Sequence, residues 1–146
     1  MVKIKAHTCY LGHTGYASHA RNFFRNLSLH SDLRVRNFTW DDDISYLNEQ
    51  DLSILDKITL TNSNGSRSDY DFSHSFSNTK FTCPKNEFIP DVDIVLETID
   101  HFYFYEEYNA KIKIAYVVWE STKLPEHFFN RLLNYFDYMW VVTEWH

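Results

Sequence analysis

Segments 92–98 and 112–119 constrain the fold most. Each is a run of mainly apolar, β-branched residues on both faces, Val92, Ile94, Val95 and Leu96 in one and Ile112, Ile114, Val117 and Val118 in the other. A strand of that character needs cover on both sides, which a parallel sheet flanked by helices supplies. The remaining chain fits such a sheet. Residues 2–9 alternate Val2, Ile4 and Ala6 with Lys3, Lys5 and His7, the period of a strand with one well-buried face. Over 17–29 the apolar set Ala20, Phe23, Phe24 and Leu27 recurs at i, i+3, i+4 and i+7. That spacing predicts a helix with Arg21, Asn22 and Arg25 facing outward.

Further strands are predicted at 33–39 and 138–143, a short helix at 48–57, and a helix at 125–136 with Pro125 in its first turn. The alternation of strand and helix defines the fold class as α/β, a mostly parallel sheet with helices on both faces. Residues 61–90 are rich in Ser, Asn and Asp and broken by Pro84 and Pro90, which predicts an irregular excursion. Its aromatic residues, Tyr70, Phe72, Phe76, Phe81 and Phe88, predict that it packs against the domain.

At 146 residues the chain suits one domain, 1–146. With 44% hydrophobic and 23% charged residues it has the composition of a folding chain. Its net charge of −6 leaves no basic face for a phosphate backbone, so nucleic acid is not an expected partner. The absence of a long apolar run, with no signal-peptide core after Met1, predicts no transmembrane segment and a cytoplasmic protein. Cys9 and Cys83 are expected to be reduced thiols. The chain stops just after its last predicted strand, which suggests a fragment whose cut sheet exposes apolar surface and favours self-association.

Three bends carry chemistry. Gly12-His13-Thr14-Gly15 joins the first strand to the first helix. Glycines there allow φ > 0 and close backbone approach, and a helix N-terminus attracts anions, so a phosphate or sugar hydroxyl fits. A tight turn that needs glycines for backbone reasons alone reads equally well. The loop lacks G-x-G-x-x-G spacing and the second strand ends without an acidic residue, which argues against a dinucleotide.

Trp119-Glu120 closes a covered strand, where Glu120 can orient or deprotonate a hydroxyl or instead cap the following helix. His101, beside Asp100 and ahead of Phe102-Tyr103-Phe104-Tyr105, can move a proton or serve as packing. The Asp41-Asp42-Asp43 run offers carboxylates to magnesium but reads more simply as a solvated loop, and Cys9, His13 and His19 lack zinc spacing. No metal is expected.

Taken together, Gly12-His13-Thr14-Gly15-Tyr16, Asp93-Ile94-Val95, Tyr116-Val117-Val118-Trp119-Glu120-Ser121-Thr122-Lys123-Leu124-Pro125 and Val141-Val142-Thr143-Glu144-Trp145 resemble the N-terminal, acceptor-side domain of a GT-B fold, GT4-like glycosyltransferase. Residues 40–90 do not match that pattern. The resemblance implies a Rossmann-like half that binds a glycan or other hydroxyl acceptor, with a separate C-terminal donor-binding domain holding a nucleotide sugar. It implies a metal-free, cofactor-free transfer in which this chain alone is inactive. Substrate-binding positions would be Gly12, His13, Thr14, Gly15, Tyr16, Trp119 and Glu120. Many relatives place a histidine where this chain has Trp119-Glu120, so Glu120 and His101 remain the catalytic candidates. The alternatives are a non-catalytic Rossmann or flavodoxin-like module for a small anion or protein partner, and a metal-dependent enzyme on the aspartate run.

Overall fold

The structure, a computed structural model, describes residues 1–37, 47–54, 58–60, 88–97, 110–118 and 123–142. The strands are β1 (Lys3–Thr8), β2 (Asp32–Asn37), β3 (Ile58–Leu60), β4 (Val92–Glu97), β5 (Ile112–Val117) and β6 (Tyr138–Val141), and the helices α1 (Gly15–Ser28), α2 (Glu49–Leu52) and α3 (Glu126–Tyr135). The aspartate run, most of the 61–90 excursion, His101, Trp119 and Glu120 lie outside the described residues.

All strand pairings are parallel, and the order across the sheet is β3-β2-β1-β4-β5-β6. This is a Rossmann-like α/β sheet whose strand order reverses between β1 and β4. One face, built from Ile4, Ala6, Leu33, Val35, Ile94, Leu96 and Ile114, packs with Ala20 and Phe24 of α1. The other joins Val95, Ala115 and Val117 to Phe128 and Leu132 of α3. Helices therefore cover both faces, and Phe24, fully buried, contributes about 3 kcal/mol of apolar transfer energy at most.

The strand starts are tied by aspartates. Asp91 accepts the Lys3 N–H at 2.9 Å and donates its own N–H to the Lys3 carbonyl at 2.8 Å. Asp137 does the same to Lys113, at 2.8 and 2.9 Å. Each carboxylate takes a backbone donor at the first residue of β1 or the second of β5 and so helps set the register of the neighbouring strand.

Several expectations are corrected. α1 begins at Gly15, because the Thr14 hydroxyl accepts the Ala17 N–H at 3.2 Å and caps the helix. Gly15 and Tyr16 thus belong to the first turn. Arg21 does not face outward; it is 9% exposed and shares the buried stripe with Ala17, Ala20 and Phe24. His7, on the supposedly polar face of β1, is fully buried, so β1 is covered on both sides. Pro125 stands at the N-cap position of α3, just outside the helix. The short strand β3 was not anticipated.

Candidate functional site

Parallel pairing brings the C-terminal ends of β1, β4 and β5 to one rim, with β1 and β4 adjacent where the order reverses. In open α/β sheets ligands bind in the crevice at such a switch point. The segment after β1 lies at this switch point. Tyr10 and Leu11 are fully buried, whereas His13, Thr14 and Gly15 are exposed.

The loop between them is held by two side chains. Asn37, at the end of β2 and 1% exposed, accepts the N–H groups of Tyr10 and Leu11 on Oδ1 at 2.7 and 2.9 Å. Arg21 reaches back from α1, where Nη1 donates to the carbonyls of Tyr10 and Gly12 at 2.8 and 3.0 Å. The Tyr10 and Leu11 amides and the Tyr10 and Gly12 carbonyls are thus consumed inside, and the turn closes through Gly12 at φ 105°. The phenol of Tyr10, whose pKa burial and then Asp51 push upward, stays protonated and donates to the Asp51 carbonyl at 3.4 Å.

The two glycines answer different questions. Gly12 has a positive φ that L side chains rarely adopt, so backbone geometry accounts for it. Gly15 has no such conformation, and a Cβ built on it meets nothing within 4 Å. Nothing in the fold requires glycine there; what its missing side chain leaves is open access to the first turn of α1.

That turn has no acidic residue. Thr14 takes the Ala17 N–H, and the Ser18 N–H donates to the Thr14 carbonyl at 3.1 Å, so the Gly15 amide stands at the exposed start of the turn with no acceptor among the described residues. The Tyr16 hydroxyl lies 3.5 Å from the carbonyl of Val118, tying α1 to the exit of β5. Deeper along α1, His19 Nε2 and the Tyr116 hydroxyl are 2.9 Å apart.

Of the positions expected from the sequence, Gly12, His13, Thr14, Gly15 and Tyr16 stand together on this rim. Trp119, Glu120 and His101 lie outside the described residues, although β5 and β4, which lead toward them, end at the same edge. Asn37 and Arg21 are not among the site residues expected from the sequence. Arg21 was findable, since it falls at i+4 from Ala17 with Phe24 at i+7. Asn37 occupies the strand end where a dinucleotide site would carry an acid for a ribose hydroxyl, and here its amide oxygen is spent on the loop.

Below the rim, His7 Nε2 and Asp93 Oδ1 are 3.0 Å apart in the sheet interior, and Asp93 Oδ2 accepts the Ala110 N–H at 2.9 Å. A carboxylate only accepts, so His7 carries its proton on Nε2. Burial drives the His7 pKa down to about 4 against the pull of Asp93, with Lys5 and Arg36 adding to the depression. The imidazole is therefore neutral at pH 7, and the pair braces β1, β4 and the approach to β5.

The fold and its rim define a Rossmann-like α/β domain with a topological switch point between β1 and β4. The chain matches no protein-family model, no curated protein and no solved structure.

Proposed function

We propose that this chain is the acceptor-side domain of a GT-B, GT4-like glycosyltransferase, with the crevice between the ends of β1 and β4 as its substrate site. The supporting observation is Gly15: an exposed glycine in ordinary helical conformation, at the crevice, with no fold-level need for it. Its amide would donate to a donor diphosphate or sugar oxygen, aided by the positive end of α1. Trp119 would present a ring face to a sugar, and Glu120 or His101 would orient or deprotonate the acceptor hydroxyl. The donor's leaving diphosphate would be stabilised mainly from a second domain, and no metal is required on this side of the cleft.

Calorimetric titration of the chain with uridine diphosphate glucose, guanosine diphosphate mannose, maltose and inorganic phosphate tests this. The proposal expects nucleotide sugar or glycan to bind in preference to phosphate, and Gly15→Ala to weaken that binding about tenfold or more by blocking backbone approach. Failure of every sugar to bind would overturn it.

A second reading, a non-catalytic module for a small anion, draws support from the same Gly15 amide and the absence of an acid in that turn. Phosphate binding that matches nucleotide-sugar binding would favour it.

A further inference from the structure

We infer that His19, oriented by Tyr116, is the specificity-determining residue at the start of α1 and that the group it recognises is a sugar hydroxyl. The inference rests on the sugar-binding reading above and names the chemistry by which that site selects its ligand.

Gly15 and His19 stand four residues apart on α1 and so share one face of the helix. A helical side chain leans toward the N-terminus and covers the turn before its own Cα, which sets the His19 imidazole beside Gly15. The glycine leaves open space there, since a Cβ built on it meets nothing within 4 Å. Half-buried His19 is held in place from β5, its Nε2 lying 2.9 Å from the Tyr116 hydroxyl. The two rings meet edge to face with centroids 5.5 Å apart at 67°, and Phe23 packs edge-on against the same Tyr116 ring at 5.2 Å.

The chemistry of the pair favours a hydroxyl over an anion. Nε2 is engaged by Tyr116, whereas Nδ1 has no hydrogen-bond partner among the described residues. A phenol both donates and accepts, and a neutral imidazole carries one proton on either nitrogen. With Tyr116 donating to Nε2, Nδ1 is a donor; with Tyr116 accepting, Nδ1 is an acceptor. A centre that serves in either sense matches a hydroxyl, which also does both, while a phosphate oxygen only accepts. No lysine or arginine stands in the first turn to hold an anion, and the first arginine of the helix, Arg21, gives its Nη1 to the carbonyls of Tyr10 and Gly12.

Calorimetric titration with uridine diphosphate glucose, maltose and uridine diphosphate is the test. His19→Phe keeps a ring against Tyr116 and removes both nitrogens. It should weaken binding of the sugar ligand about tenfold or more and leave uridine diphosphate as it is. Tyr116→Phe keeps Nδ1 but no longer sets its tautomer, and should weaken sugar binding less, about threefold. Nitrogen-15 spectra of the imidazoles in the unaltered chain give a readout independent of variant folding: the sugar ligand should shift the His19 nitrogens, and uridine diphosphate should leave them in place.

Sugar binding that survives His19→Phe, or that moves no His19 nitrogen, would overturn the inference while sparing the reading of the site. An equal loss for uridine diphosphate would overturn it too, by reducing His19 to a structural role. If no sugar binds the unaltered chain, both fall.

Discussion

Arg21 and Asn37 convert the connection after β1 into a fixed surface by taking up its inward-pointing carbonyls and amides. Arg21→Ala would leave two buried carbonyls without their charged donor and should cost about 2–3 kcal/mol, measured by urea unfolding. Asn37→Leu should be comparably costly, whereas Asn37→Asp keeps the Oδ1 that accepts both amides and should recover most of the loss. At Gly12 a Cβ meets a left-handed φ, so Gly12→Ala should destabilise by about 1–2 kcal/mol. Gly15→Ala should do the reverse and stabilise by a few tenths to about 1 kcal/mol, because alanine is the better helix former and has room. His7 gives the pH dependence. Its folded pKa, about 4, lies below the ordinary 6.5, so between those values the unfolded chain binds a proton that the folded chain refuses. Stability should therefore fall as pH drops through that window, by at most about 1.4 kcal/mol per pH unit, and His7→Gln should flatten the fall. Single polar residues were the least legible feature of the sequence. Polarity places Arg21 and His7 in solvent, while the structure buries both, Arg21 on the loop after β1 and His7 against Asp93 of β4.

At the scale of elements, the strands were readable because β-branched apolar runs mark β4 and β5 directly. The boundaries of α1 were not. Gly15 is a poor helix former, so propensity delays the start, yet the Thr14 cap decides it two residues earlier. β3 spans three residues, too short for any period to show, and exists by pairing with β2. The aspartate clasps belong to this scale as well. Asp137→Ala should leave the Lys113 amide unsatisfied, cost about 1 kcal/mol and loosen β6, seen as faster exchange at residues 138–141 than at β4. Thr14→Ala should cost about 1 kcal/mol and fray the first turn of α1.

Across the whole molecule, parallel pairing with a reversal between β1 and β4 places every strand exit on one rim and every aspartate clasp on the other. The division follows from chain direction alone: amides left over at strand starts are closed by carboxylates, and loops at strand ends are free to recognise. The rim's existence was legible from the alternation of elements; its wiring through Asn37 and Arg21 depends on contacts between β2, α1 and a loop that no local pattern encodes. The central claim is that this rim is the recognising edge. Amide chemical-shift mapping of the chain with uridine diphosphate glucose and maltose tests it most directly. The account predicts shifts at Gly12 to Tyr16 and in the residues that follow β4 and β5, abolished at the first turn by Gly15→Ala in a protein of undiminished stability. Shifts clustered instead around Asp91, Asp137 and the strand starts, or binding untouched by Gly15→Ala, would contradict it.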